Sequence, residues 1–401
     1  MTGIVIVGAG QAGAALAAKL RTLGYTGALT MIGDEASLPY QRPPLSKGYL
    51  LGEVTQEQLY LRAPAYWDAQ NVTLRLGARV TAIDRIAKTV QVGAETVPYD
   101  QLALTTGSCP RRLPAAIGGD LPGVHTLRTL ADIDAMAPDF QAGRKLLIVG
   151  GGYIGLEAAA VGARLGLTVA LVEMAPRILQ RVAAPETSDY FRALHADHGV
   201  TIHENTGLER LTGTRRVTGA ILSDGSTIKA DLVIAGVGVR PMTALAEDAG
   251  LQIDQGICTD EQGRSSDASI WAAGDCASFP YRGGRIRLES VGNAIAQAEI
   301  VAENMLGAGK PYAAKPWFWS DQYDVKLQIA GLNTGYDRIV PRRMDSGAVS
   351  FWYYRGARLI ALDAMNDARA YMIGKRLIEA GKSPDPAAIS DPETDLKSLL
   401  K

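Results

Sequence analysis

The stretch LLIVGGGYIGLEAAAVGARLGLTVALVE, residues 146–173, decides the fold. Its opening apolar run reads as a buried strand. GGGYIG then turns the chain, the alanine- and leucine-rich residues that follow read as a helix, and TVALV reads as a second strand that ends on Glu173. Strand, glycine turn, helix and strand make one unit of a parallel sheet. Gly150, Gly152 and Gly155 occupy the three places where this turn needs glycine. The first permits the tight bend, the second lets a phosphate approach the backbone, and the third lets the helix pack close to the strand. The helix start adds unpaired N–H groups and the positive end of a dipole.

The chain has already opened with the same device. GIVIVGAGQAG, residues 3–13, sets Gly8, Gly10 and Gly13 in the same spacing, with a helix beginning at Ala12. These two fingerprints are the internal repeat of the sequence, and two fingerprints imply two dinucleotides. A nicotinamide passes a hydride to a flavin when the two rings stack, so the expectation is FAD on the first turn and NADH on the second. Glu173 closes the second strand directly; a carboxylate there accepts from both ribose hydroxyls and repels a 2′-phosphate, which favours NADH over NADPH. Arg177, four residues on, works in the other direction. In the first unit Gly33 stands where the acid would be, with Asp34 and Glu35 just beyond, and Asp34 is taken as the ribose partner.

The rest of the chain fits an α/β protein of several domains. At 401 residues it exceeds one ordinary core. With 47% hydrophobic residues, 21% charged residues and a net charge of -1, it has the profile of a globular protein without a bias toward nucleic acid or an anionic membrane. The apolar run at residues 4–7 lacks a preceding basic residue and breaks at glycines, so it is not read as a secretion signal, and the default location is the cytoplasm. No run is long enough for a membrane span. PYQRPPLSK, residues 39–47, holds three prolines and is expected to be irregular and to line a site. Residues 72–84 alternate as one extended segment. WFWSDQYDVKLQIAGL and AVSFWYYRGARLIALDAM read as antiparallel strands, residues 368–381 as a helix, and the polar tail beyond Lys382 as loosely packed.

The three cysteines, Cys109, Cys258 and Cys276, are widely spaced and read as small buried residues rather than a disulfide framework or zinc site. Of the four histidines, His195 and His198 lie one helical turn apart, a spacing compatible with a metal but read as solvated helix positions; no metal is called for.

GAGQAG, TTGS (residues 105–108), GGGYIGLE (150–157), GVGVRP (236–241) and AGDCA (273–277) together resemble the FAD-dependent pyridine nucleotide-disulfide oxidoreductases, over essentially the whole chain. PPLSKGYL (43–50), ESVGNAIAQA (289–298) and WFWSDQYDVKLQ (317–328) are similar to one branch, the NADH-dependent ferredoxin reductases of bacterial oxygenase systems. The resemblance implies a glutathione reductase-like architecture: residues 1–109 with 240–316 as an FAD-binding Rossmann-like domain, 110–239 as an NADH-binding one, and 317–401 as an α+β interface domain. It implies that Asp275 meets a ribityl hydroxyl, that Val291 and its helix start lie near the flavin's pyrimidine end, and that Lys47 sits by the flavin's reactive ring nitrogen with Glu157 as its ion-pair partner, or else pins its loop. Val80 and Arg128 are further FAD contacts, and Tyr153 and Ile154 border the nicotinamide. Trp319 is either an aromatic cover and electron exit or a core residue of the interface domain. Members that reduce disulfides or peroxides use a cysteine near the flavin, and residues 43–50 have none. Electrons are therefore expected to leave singly, to an acidic 2Fe-2S ferredoxin bound transiently, with FAD held tightly but non-covalently and the chain a monomer or weak homodimer. Arg285, Arg287, Lys315, Arg342 and Arg343 are the candidate basic docking residues. The alternatives are an NADH oxidase or quinone reductase, and a redox-responsive binding flavoprotein similar to apoptosis-inducing factor.

Overall fold

The computed structural model describes residues 3–400 and divides into two compact units. The first comprises the segments up to Arg42, Thr55–Cys109 and Val239–Pro316. Its centre is a five-stranded sheet in the order Ile270–Ala272, Gln101–Leu104, Ile4–Val7, Leu29–Ile32, Thr73–Arg75. Every pairing is parallel. The central strand IVIV is buried at all four positions, as a strand covered on both faces must be. One face carries the helices Gln11–Thr22 and Val291–Met305, which pack with Leu16, Leu20, Ala298, Val301 and Trp271 in a single apolar cluster. The stretch 72–84 is two strands rather than one. Thr73–Arg75 ends the parallel sheet, and Val80–Asp84 starts a three-stranded antiparallel sheet with Thr89–Val92 and Glu95–Pro98. The break comes at Gly77, whose φ of +63 suits glycine.

The second unit comprises Pro43–Val54, Pro110–Gly238 and the segment from Trp317 onward. It repeats the plan: a five-stranded parallel sheet in the order Thr201–His203, Thr168–Val172, Lys145–Val149, Leu232–Ala235, Val124–His125. A three-stranded antiparallel sheet, Leu208–Gly213, Val217–Leu222 and Thr227–Lys229, covers it through Leu211, Val217 and Leu222. In both parallel sheets the strand that feeds a glycine turn is central, and the chain reverses its direction of progress beside it. Open parallel sheets bind ligands at the carboxyl ends of strands at such a switch point.

The same unit holds a five-stranded antiparallel sheet, Trp317–Gln322, Val325–Gly331, Arg358–Met365, Val349–Arg355, Arg338–Arg343. Helix Ala368–Glu379 lies on it, and Trp352, Leu362, Ile373 and Leu377 make their shared core. Gly374 is needed there, since a Cβ would fall 2.3 Å from Leu362. The chain beyond Lys382 is not loose. Ile389 and Leu396 are buried in the same core. Arg342, only 4% exposed, donates from Nη1 to the carbonyl of Ile389 at 3.1 Å and to that of Asp391, and from Nη2 to those of Pro392 at 2.9 Å and Thr394 at 3.0 Å. A polar tail with prolines cannot supply its own ladder, so a buried guanidinium takes up its carbonyls instead. Among the described residues no helix is long and apolar enough to cross a membrane.

Replacing Arg342 by methionine leaves those carbonyls unsatisfied. The expected loss of unfolding free energy is about 2–4 kcal/mol, with protease cleavage in residues 382–400 that the parent resists. A variant with unchanged denaturation and an intact tail would contradict this role.

Candidate functional site

Each unit builds its site from the sterics of its glycine turn. In the first, Gly8 has φ +117, and a Cβ there would lie 2.2 Å from the carbonyl oxygen of Thr105. A Cβ on Gly13 would lie 2.0 Å from the carbonyl oxygen of Gly8, whereas one on Gly10 would meet nothing within 4 Å. The outer glycines are thus demanded by the protein's own backbone, and the middle one opens onto space at the start of helix Gln11–Thr22. The Thr105 hydroxyl donates to the Gly8 carbonyl at 2.9 Å and locks the turn. Gly33 also has a reason: a Cβ there would fall 2.6 Å from that of Ala9. The side chains beyond it diverge. Asp34 is exposed. Glu35 accepts from Tyr40 Oη at 2.6 Å and pairs with Arg42, whose charge is upheld by Tyr40 and Glu35 against the penalty of its burial.

Around this turn the unit gathers Asp275, whose Oδ2 accepts from Ser108 Oγ at 2.7 Å. Gly274, at φ +82, brings that segment within contact of Ala12 and Ala294. Helix Val291–Met305 opens nearby in sequence, with Ser290 Oγ accepting from the Asn293 N–H at 3.2 Å. Its first N–H groups have no partner within the helix. Val80 begins its strand, at a register shift between Val80 and Ala82.

The second unit repeats the device. Gly150 has φ +108, with the Gly236 carbonyl oxygen 2.5 Å from its would-be Cβ. The Gly150 oxygen is 2.2 Å from that of Gly155, and nothing lies within 4 Å of that of Gly152. Glu173 braces the turn, accepting the Gly151 N–H at 2.7 Å and the Ala175 N–H at 2.8 Å. Arg177 points elsewhere, donating to Ser188 Oγ at 2.6 Å. Ile154, 38% exposed, stands at the helix start. Tyr153 packs against Phe318 with ring centroids 4.7 Å apart and the rings tilted by 32°. Its phenol oxygen is buried with no partner among the described residues, and burial lifts its pKa well above the usual tyrosine range.

One turn along that helix, Glu157 is 5% exposed and fully engaged. Lys47 Nζ lies 2.8 Å from its Oε2, Ser46 Oγ donates to the same oxygen at 2.6 Å, and Ser320 Oγ donates to Oε1 at 2.7 Å. Lys47 also donates to the Pro43 carbonyl at 3.3 Å, so one N–H of the ammonium remains for a ligand. The prolines shape this loop into the short 3-10 turn Pro43–Ser46, which presents serine and lysine side by side. Losing either half of such a pair costs roughly 3–5 kcal/mol. Residues 318 and 320 face this helix because strand side chains alternate. The opposite face carries Trp317 and Trp319, both half-buried and stacked at 5.5 Å. Arg128 precedes the helix cap Thr129, and its N–H donates to Asp132 at 3.0 Å.

The structure thus brings Lys47 to Glu157, and Asp275 into the unit of the first turn. Ser46, Ser108 and Ser320, which sequence reasoning missed, are the donors that fix those carboxylates. Other expectations need correction. Of the cysteines only Cys276 is buried, with its pKa raised by that burial; Cys109 and Cys258 are half-buried. His195 is not solvated: it is wholly buried, with Gln322 at one ring nitrogen and Tyr323 at the other. Arg342 faces inward and is no docking residue. Arg285 donates to the Thr259 and Ser278 carbonyls, and Arg287 is tied to Gln255 and Glu289. Arg343 and Lys315 are exposed.

This geometry is matched by sequence and structural comparison. Residues 2–298 match the pyridine nucleotide-disulphide oxidoreductases and residues 317–400 the reductase C-terminal family. The chain belongs to the pyridine nucleotide-disulphide oxidoreductase family, which implies use of FAD and NAD(H). It is 41% identical over 402 residues to rhodocoxin reductase of Rhodococcus erythropolis, covering 99% of this chain and 94% of that one. It is 40% identical over 406 residues to putidaredoxin reductase of Pseudomonas putida, covering 99% and 96%. Among solved structures, the covalent putidaredoxin reductase–putidaredoxin complex superposes with a TM-score of 0.95 at 39% identity, covering 100% of this chain and 98% of that chain.

His195 gives a stability prediction. Burial pushes its pKa down from 6.5 to about 4, with the positive charge of His198 adding to the effect. The unfolded chain therefore binds a proton that the folded one refuses between those values. The resulting stability is full above pH 6.5 and is lost as pH falls toward 4, on the order of 3 kcal/mol. Denaturation midpoints of the parent should fall over this window more steeply than those of His195→Gln. Equal slopes would contradict the assignment.

Proposed function

We propose that this chain is a cytoplasmic FAD-containing NADH-dependent ferredoxin reductase that takes a hydride from NADH and passes single electrons to a 2Fe-2S ferredoxin serving an oxygenase. The observation that carries the reading is the pair of glycine turns of identical steric design, in a chain whose residues 43–50 supply a carboxylate-held lysine and no cysteine. The names of the relatives, which are reductases of ferredoxin-type proteins, support it.

The open space over Gly10 and the helix start behind it fit a pyrophosphate, as does the same arrangement at Gly152. We assign the first to FAD, held tightly and without a covalent bond. Its other contacts are Ala12, Asp34, Val80, Arg128, Asp275 and Val291. Asp275 is preset by Ser108 to accept from a ribityl hydroxyl, and the helix start at Val291 favours negative charge on a pyrimidine ring. The second turn is assigned to NADH, with Glu173 accepting from the ribose, Gly155 closing the turn, and Tyr153 and Ile154 beside the nicotinamide. Glu173 already spends its charge on two backbone N–H groups, and a 2′-phosphate would meet it at close range. FAD, when bound, supplies the chemistry that turns a two-electron donor into a one-electron source.

The protein's own part is placement and charge. Lys47 is fixed by Glu157, its remaining N–H assigned to the flavin's reactive ring nitrogen. Trp319 presents an aromatic surface for the exit of electrons. The partner chemistry that suits Arg343 and Lys315 is a small acidic iron–sulfur protein, engaged transiently by a monomeric or weakly dimeric reductase.

Stopped-flow mixing with NADH without oxygen should bleach the flavin band, and NADPH should be slower by at least about tenfold. In air, steady NADH consumption should require an acidic 2Fe-2S ferredoxin. Consumption that is fast without any ferredoxin would identify an oxidase and contradict the proposal.

A further inference from the structure

Glu157 is the end of a chain of hydrogen bonds whose direction follows from a single charge. A carboxylate paired with Lys47 only accepts, so Ser320 gives it its one O–H, at 2.7 Å. The Ser320 oxygen then accepts from Gln322 Nε2 at 3.2 Å. That turns the amide oxygen of Gln322 toward His195 Nε2, 2.8 Å away, which must carry the ring hydrogen. His195 Nδ1 is left as an acceptor, and Tyr323 Oη donates to it at 3.1 Å. Every donor points toward Glu157.

Ser320, Gln322 and His195 are each fully buried, so no water is on hand to replace a partner. Burial also keeps His195 neutral, with a pKa near 4. The outer end is held in place too: Tyr323 has φ +55, and the His198 ring stacks on it at 3.6 Å. The chain joins three elements of the second unit, helix Tyr153–Arg164, strand Trp317–Gln322 and helix Pro185–Asp197.

We propose that Ser320, Gln322, His195 and Tyr323 are positioning residues for the Lys47–Glu157 pair, a one-way donor relay that holds the Glu157 carboxylate in one orientation and Lys47 with it. The relay follows from geometry alone; its consequence for flavin reduction rests on the assignment of Lys47 made above. Ser320 is the decisive link. Without its oxygen the Gln322 amide loses its reason to face one way, and once it flips, His195 must move its hydrogen to Nδ1.

The test uses the flavin-loaded enzyme labelled with 15N-histidine, with the His195 signals assigned by their loss in His195→Gln. Long-range 1H–15N spectra at pH 7 should show His195 as one neutral Nε2–H tautomer. Ser320→Ala should give mixed tautomers and slow flavin reduction by NADH about three- to tenfold at unchanged KM, and Ser320→Thr should restore both. An Nδ1–H tautomer in the parent, or a single Nε2–H tautomer retained in Ser320→Ala, would overturn the relay, and a parental reduction rate in Ser320→Ala beside a slowed one in Lys47→Ala would overturn its positioning role. Lys47→Ala separates the two readings: unchanged flavin reduction beside an Nε2–H tautomer sustains the relay and removes the assignment of Lys47.

Discussion

In both units a carbonyl oxygen stands where a side chain would begin. The Gly8 oxygen lies 2.0 Å from the Cβ position of Gly13, and the Gly150 oxygen 2.2 Å from that of Gly155. This approach pulls the first turn of each helix against the end of its strand. It leaves the middle glycine facing outward with N–H groups and a positive dipole end behind it. The parallel sheets, with their buried apolar central strands, form the base on which the turn is held. Any Cβ at the closing glycine must push the helix away, so the open turn and the packing of the sheet share one constraint.

Charge is managed with similar economy. Glu157 is nearly buried and meets three side-chain donors, from Lys47, Ser46 and Ser320. Glu173 meets two backbone N–H groups. A carboxylate so engaged has fixed direction, and it passes that direction on to its partner, the Lys47 ammonium in one case and the glycine turn in the other. The family to which the chain belongs includes enzymes that move electrons through cysteine. Here the loop at residues 43–50 offers an ammonium instead, and Cys276 is sealed in the core of the first unit with its thiol disfavoured from ionising.

Much of this was legible in the sequence because it is local. A glycine spacing between an apolar run and an alanine-rich helix specifies its own turn, and Glu173 announces itself by closing a strand. The antiparallel sheet that begins at Trp317 showed as a change of texture, from alternating strands and helices to aromatic strands. The pairing of Lys47 with Glu157 came from resemblance alone, since nothing in the spacing links two residues so far apart. Ser320 and Ser46 were invisible for the same reason: their bonds to Glu157 span 163 and 111 positions. His195 was misplaced because a histidine on a helix rich in charges belongs outside by polarity; a glutamine from a distant strand satisfies it inside. The C-terminal tail looked loose because its anchor, Arg342, lies about 50 positions upstream in another strand. The docking face was read too generously, since an arginine's position in sequence does not show whether carbonyls already hold its guanidinium.

The two turns are equivalent in build and are proposed to differ in cargo, and paired substitutions at the middle glycines test that difference most directly. Gly10→Ala and Gly152→Ala add a methyl that meets no protein atom within 4 Å, so both should fold. Gly10→Ala should purify colourless and take up no added FAD, while Gly152→Ala should keep its flavin spectrum and lose NADH affinity by about tenfold or more. Retention of flavin by the first, or parental NADH binding by the second, would contradict it.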